Sequence, residues 1–429
     1  MMLRELASGV TSKDRNTEMV LLAGSAAFVF VAWRALDAAA FGLPANFARI
    51  VTQFLLSGVA GHIGLRIVAP RASGQLYAIT MALCAIGLVF VTRLAPAVAQ
   101  DQANWITLGI ALMVVAAAAG RRYQLLRRYK YTAALVAVLI LLATGVIGTT
   151  INGARLWITV GGQTIQTTEI IKVFIVVFLA GYLADEAGVL ASPRLSFAGR
   201  RYSALPYVIP LLLTLGVALG IIGLLKDLGQ IVILLLLTAA MLYVATGRRM
   251  YVALSAVLLG VAMVLGYYAF SHARVRIDVS LDPQAHATTS GYQTLQSMYA
   301  IQAGGVTGAG LAQGDPDSIP IVDTDYIYSA IAEELGLAGA FGLVLLFGLL
   351  LFAGLRVALS ARDDYGHLLA ACIALLIAIQ AAVIIAGNLR IIPTTGITLP
   401  FVSYGGSSLV VNFLLLGLLL GVSQQGESR

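Results

Sequence analysis

Apolar stretches of roughly 20 residues recur from one end of this chain to the other, each long enough to cross a hydrocarbon core as a helix. About twelve can be marked: residues 19–36, 50–69, 76–92, 105–119, 132–150, 167–184, 205–224, 228–246, 250–269, 327–355, 368–387 and 399–422. Only 11% of the residues are charged and 59% are hydrophobic, whereas about a quarter are charged in an average soluble domain. The chain therefore reads as an all-α integral membrane protein, a polytopic bundle of about 12 transmembrane helices. Residues 1–18 read as a polar cytoplasmic tail, 19–425 as the membrane domain and 426–429 as a second cytoplasmic tail.

Orientation follows from the basic residues, which are enriched in cytoplasmic loops. With the N-terminus inside, 18 of the 27 arginines and lysines fall in cytoplasmic segments and 7 outside, Arg34 and Lys172 lying within spans. Both termini are then cytoplasmic, and the formal charge of +7 is mainly a signal of topology. Residues 1–18 lack the apolar core and cleavage site of a signal peptide, so the first span stays as an anchor. The basic run Arg121 to Lys130 has no interleaved aromatics for nucleic acid and suits anionic lipid of the inner leaflet. Cys84 and Cys372 sit in apolar spans without zinc or redox spacing. No phosphate-binding loop, serine-hydrolase elbow or zinc-protease motif is present, so no nucleotide is expected.

The unusual chemistry gathers in one long polar segment, about 271–326, which this topology places outside. It holds Asp278, Asp282, His286, Asp315, Asp317, Asp323 and Asp325 beside glycine clusters at Gly304-Gly305 and Gly308 to Gly310. A loop this long is a first place to look for a site. Glu169 and Lys172, three residues apart just inside the sixth span, share a helical face and must pair or line a wet cavity. Arg155 suits bidentate phosphate binding, with Trp157 beside it as an interfacial anchor. Asp227 either serves the site or caps the helix that follows it. From Asn388 to Ser408, Pro393, Pro400 and several glycines break the apolar pattern beside Arg390. Such irregular backbone makes an anion cradle or a kinked packing helix.

In order along the chain, Asn152 to Trp157, Gln166 to Glu169 with Lys172, Asp227-Leu228-Gly229, Gly291-Tyr292-Gln293, Thr324-Asp325-Tyr326, Glu333 to Gly336 and Ser403 to Ser407 resemble the SEDS family of bacterial shape, elongation, division and sporulation proteins. The resemblance runs from about residue 50 to 425. Two spans precede the family's ten-helix core, a layout similar to its actinobacterial RodA branch. The resemblance implies an inverting glycosyltransferase that polymerises lipid II into glycan strands on the outer face of the bacterial cytoplasmic membrane. A class B penicillin-binding protein is the implied partner, with magnesium or manganese as the implied metal; membrane lipids surround the protein and nucleic acid has no role. The catalytic positions implied are His286, Asp282, Glu169 and Lys172, with Asp282 also a metal ligand. Substrate contacts are implied for Arg155, Trp157, Arg390, Gln166, Asp325 and Ser403.

One position departs from the family pattern. Where the family has the aspartate of Asp-Pro-x-Gly-x-Gly-Tyr, this chain has His286, with Ala287 and Thr289 in place of the proline and glycine. Three readings stay open: His286 is the base, Asp282 or Asp278 takes the role, or the protein is a scaffold, a binder of lipid-linked substrate or a polymerase of another glycan. A lipid-linked precursor flippase, working mid-bilayer around Glu169 and Lys172, is the alternative of a different class.

Overall fold

The computed structural model describes residues 9–426 apart from 40, 152, 192–194, 198–199 and 203–204. Arg4, Asn152, Arg194, Arg429 and the tail beyond Gly426 lie outside the described residues. The chain forms long helices α1 (Gly9–Ala38), α2 (Phe47–Val68), α3 (Gly74–Leu94), α4 (Ala99–Ala119), the short α5 (Gln124–Arg128), α6 (Lys130–Ile147), α7 (Thr167–Ala191), α8 (Leu205–Leu224), α9 (Leu228–Thr246) and α10 (Arg249–Ala269). Helices α11 (Ser271–Leu281) and α12 (Tyr292–Gly304) precede α13 (Ile327–Ser360), α14 (Asp364–Asn388) and α15 (Gly406–Ser423). Among the described residues, 11 helices are long and apolar enough to cross a membrane, and Ile209–Leu224 of α8 is a shorter apolar helix. Each of the expected spans thus meets a helix. The first helix starts at Gly9, inside the stretch read as a polar tail.

Two details go beyond the expected spans. The long 271–326 connection carries two helices, α11 and α12, that fold over the bundle end. The last span begins at Gly406 and not near 399, since Pro400 and the residues around it stay irregular. Residues 149–166 also form a small antiparallel sheet of β1 (Thr149–Ile151), β2 (Ala154–Val160) and β3 (Gln163–Gln166). Gly161 and Gly162, at φ 58° and 83°, make the two-residue turn that pairs Val160 with Gln163.

Helix α13 shows why the glycine clusters exist. Its 34 residues would measure about 51 Å if straight, well beyond a core of about 30 Å. It is broken at Gly336, where φ is 65°. In an unbroken helix the Leu337 amide would bond to the Glu333 carbonyl. Instead Leu337 donates to Gly305 O at 2.9 Å, and Glu333 O accepts from the Ala309 amide at 2.9 Å. Glu334 O likewise accepts from Gly310 at 3.0 Å. The segment after α12 therefore replaces the lost helical bonds. Such contact needs bare backbone on both sides: a Cβ at Gly308 would lie 2.3 Å from Glu334 O, and one at Gly336 would lie 2.3 Å from the Gly308 nitrogen.

Side chains complete this anchor. Arg93 of α3 donates to Glu334 Oε1 at 3.1 Å and to Asp317 Oδ2 at 2.8 Å, while Glu333 Oε1 accepts from the Asp315 amide at 2.9 Å. Glu333 and Glu334 thus fix the 305–317 connection to the bundle. Replacing Gly308 by alanine should destabilise the protein by about 1–3 kcal/mol through overpacking, on top of the strain of its left-handed φ of 82°. The check is the thermal midpoint in detergent, and an unchanged midpoint would mean that this stitch is not made.

Candidate active site

Under α11 and α12 opens a cavity of about 450 Å³, within the size range of ligand sites. Its walls come from Ser271, His272, Arg276 and Val279 of α11, Gln293 and Thr294 of α12, and Asn388 and Ile384 of α14. Asp325, Tyr326 and the irregular stretch Thr394 to Ile397 close it. Asp325 is the one carboxylate among these lining residues. Arg276 Nη1 donates to the carbonyls of Thr395 at 2.7 Å and Thr394 at 3.3 Å. Gly396, with φ 68°, lies between the two charges: a Cβ there would sit 3.0 Å from Arg276 Nη2 and 3.6 Å from Asp325 Oδ2. No ion pair joins Arg276 to Asp325 among those described, so both charged groups border the gap.

Asp325 is placed by its backbone. Its carbonyl accepts from Asn388 Nδ2 at 2.9 Å, Asn388 Oδ1 accepts from Ser329 at 3.1 Å, and Ser329 meets Ser297 of α12 at 2.6 Å. Tyr326 is the N-cap residue of α13 and no side chain caps that end, so Asp325 does not serve as a helix cap. Burial pushes the Asp325 carboxyl up to about 6, against the opposing pull of a Thr324 hydrogen bond and of Arg276. Burial, then Arg276 and Lys226, push the His272 imidazole down from its usual value.

Just behind the 394–397 wall lies the buried pair Glu169 and Lys172. Their side chains meet at 2.5 Å and are 2% and 0% exposed, an arrangement that a charge in this setting requires. Lys172 Nζ also donates to Gln380 Oε1 at 2.8 Å, and Gln380 Nε2 donates to Thr398 O at 2.8 Å. Lys172 is thereby tied to the cavity's irregular wall. Asp227 accepts from the Gln230 amide at 3.0 Å, so the capping reading is the one seen.

The other expected site residues are spread more widely. Asp282 is exposed and its Oδ1 accepts from the Ala285 amide at 3.2 Å, capping the turn that contains His286. His286 is half-buried and its carbonyl accepts from Thr289 and Gly291. Gly291 is required here, because a Cβ would lie 2.5 Å from Pro283 O. Neither Asp282 nor His286 lines the cavity; Ser290 is the part of this turn that reaches it. Arg390 donates to Ser280 O at 2.8 Å and Leu281 O at 2.9 Å, closing the C-terminus of α11. Arg155 and Trp157 stand on β2, where exposed Arg155 donates to Gly145 O at 3.0 Å. The Gln166 amide donates to Ser407 Oγ at 3.0 Å, and Ser403 Oγ bonds to Thr324 O and Leu399 N. Among the described residues no three His, Cys, Asp or Glu side chains gather into a metal cluster. Asp282 is the one carboxylate of the 282–291 turn.

A family model for the cell cycle proteins FtsW, RodA and SpoVE matches residues 74–428. The chain belongs to the FtsW/RodA/SpoVE family. The peptidoglycan glycosyltransferase RodA of Mycobacterium tuberculosis H37Rv is 31% identical over 424 residues, covering 95% of this chain and 90% of the relative. Its namesake in Mycobacterium leprae is 33% identical over 427 residues, covering 96% and 91%. A chain from a structure of a peptidoglycan synthase complex is 28% identical and superposes with a TM-score of 0.67, covering 82% of this chain and 97% of that one. RodA of Thermus thermophilus shares the fold at a TM-score of 0.59 and 24% identity, over 83% and 98%.

The FtsW/RodA/SpoVE match begins at Gly74, the first residue of α3, rather than near residue 50. Helices α1 and α2 therefore precede the family core, and the mycobacterial relatives extend across them. Sequence reading missed Arg276, His272, Asn388 and Gln380 as site residues. The Arg274-Val275-Arg276 pair of arginines in an otherwise membrane-bound chain was the available signal.

Two outcomes test this geometry. Lys172→Ala should destabilise the protein by about 3–5 kcal/mol, because Glu169 keeps an unpaired buried charge. Adding Glu169→Gln should recover part of that loss, and the thermal midpoints of both variants in detergent decide it. Burial pushes the Asp325 carboxyl up to about 6, above the range of an exposed aspartate. The native state thus holds its proton more tightly than the unfolded chain, and stability falls as pH rises across that window. Asp325→Asn should therefore raise the thermal midpoint at pH 7.5 while having little effect near pH 4.

Proposed function

We propose that this protein is a peptidoglycan glycosyltransferase, which polymerises lipid II into glycan strands at the outer face of the bacterial cytoplasmic membrane. The observation that carries the reading is the cavity beneath α11 and α12, where Arg276 and Asp325 face one gap at the end of a membrane bundle. Relatives named peptidoglycan glycosyltransferases support it. The cytoplasmic placement of both termini rests on the basic residues and puts this cavity outside.

The reaction joins a sugar hydroxyl of one lipid-linked disaccharide to the anomeric carbon of another and expels undecaprenyl pyrophosphate with inversion. The leaving pyrophosphate is a dense negative charge, so the site must present cations that need no rearrangement as that charge develops. Arg276, held at this wall by two carbonyls, meets this need. Lys226 stands close enough to influence His272. Arg155 on the exposed sheet lies at the lipid-facing approach in this proposal, where a guanidinium suits a phosphate. Glu169 and Lys172 act from behind the wall, holding Gln380 and through it Thr398 in place. Magnesium or manganese, if bound, would supply further positive charge against the pyrophosphate.

A class B penicillin-binding protein is the proposed partner, supplying crosslinking beside polymerisation. The solved relative from a peptidoglycan synthase complex favours an assembly of this kind. A binder of lipid-linked substrate without transferase chemistry is the second reading, favoured by the position of His286 and Asp282 outside the cavity. Purified protein incubated with lipid II and magnesium or manganese, with and without the transpeptidase, should give glycan strands resolvable on a gel. Lipid II binding without any polymer would transfer support to the second reading.

A further inference from the structure

We propose that Asp325 is the general base of this protein, taking the proton from the acceptor sugar hydroxyl as the glycosidic bond forms. The inference rests on the glycosyltransfer reading above and assigns a chemical role within its cavity. A base must reach the reacting hydroxyl directly or through one water. Among the described residues, Asp325 is the carboxylate that lines the cavity, and it does so opposite Arg276.

The other carboxylates near it are committed elsewhere. Glu169 is bound to Lys172 at 2.5 Å and does not line the cavity. Asp227 is 5% exposed and caps α9 through the Gln230 amide. Asp282 caps an exposed turn, and Asp323 lends its carbonyl to the Tyr404 amide at 2.9 Å without lining the cavity. Asp325 has a lighter duty: Asn388 holds its carbonyl rather than its carboxylate, and Thr324 next to it is the side chain that bonds the carboxylate. The backbone is thereby fixed while the carboxylate stays available. Arg276 across Gly396 places a cation on the other side of the same gap, where the departing pyrophosphate would lie.

The step balances simply. The acceptor O–H bond breaks and its proton passes to the Asp325 carboxylate. The freed electron pair forms the new bond to the anomeric carbon, whose bond to the diphosphate oxygen breaks, and the pyrophosphate leaves with that electron pair. Asp325 then returns its proton to solvent. A carboxyl raised to about 6 by burial is a stronger base than an exposed aspartate, yet ionised at neutral pH. The charged or titratable groups that face it are Arg276 and His272 of α11, Asp323 of its own segment and Tyr326 of the α13 start.

The test uses full-length protein with its transpeptidase, purified lipid II and magnesium. Asp325→Asn should lower glycan polymerisation by about 100-fold or more, while lipid II binding in detergent and the intact fold persist, because the isosteric amide leaves the Asn388 contact to the carbonyl unchanged. The native rate should fall as pH drops through about 6, and the residual rate of Asp325→Asn should lose that limb. Asp325→Glu should recover part of the rate. Polymerisation by Asp325→Asn within about threefold of native, or loss in His286→Ala with Asp325→Asn active, overturns the assignment. If native protein makes no polymer at all, the glycosyltransfer reading fails and the assignment falls with it.

Discussion

A chain that leaves helical geometry at membrane depth must find a partner for every amide and carbonyl it releases. Between Asn388 and Gly406 side chains take several of these groups, and the rest of the site depends on those bonds. Gln380 takes Thr398, Arg276 takes Thr394 and Thr395, and Ser403 takes Leu399 and Thr324. The partners come from α14, α11 and the irregular stretch itself, so the cavity wall is a junction of several helices. The buried Glu169 and Lys172 pair matters in this frame because it orients Gln380.

The backbone shows the same concentration. Arg390, Gly396 and Phe401 all have positive φ values, of 58°, 68° and 65°, within a few turns of each other. Non-glycine residues adopt this region at a cost and persist there when surroundings over-determine them. For Arg390 the surroundings are visible, since its guanidinium grips two carbonyls at the end of α11. A cation that reads as an anion ligand in sequence serves instead to hold one roof helix of the cavity.

Much of the bundle was legible because a hydrophobic run of membrane length admits few alternatives. The break in α13 was not, although Gly336 and the clusters around Gly304 and Gly308 stood in the sequence. A glycine reveals that backbone comes close, but not which backbone, and here the two partners are about thirty residues apart. The paired charges Glu169 and Lys172 were readable from spacing on one helix face. Arg276 and Asp325 were not readable as neighbours of one gap, because they stand on separate segments that both approach Gly396, far along the chain. The small sheet that carries Arg155 was hidden between two spans, where apolar periodicity says nothing about the short polar link.

Helices α1 and α2 stand ahead of the family core, yet they are not a detachable prefix. Tyr77 of α3 places its hydroxyl on the Gly58 carbonyl of α2 at 2.9 Å, and His62 of α2 meets Glu18 of α1 at 2.8 Å, with both side chains buried. Gly61 is bare because a Cβ would strike the Tyr77 hydroxyl at 2.3 Å. The added hairpin and the inherited core have been fitted to each other atom by atom. A shortened protein that began at Gly74 would lose the glycine-lined face of α2 and leave the Tyr77 hydroxyl without the Gly58 carbonyl, so the boundary of the family match is not a boundary of the packed structure.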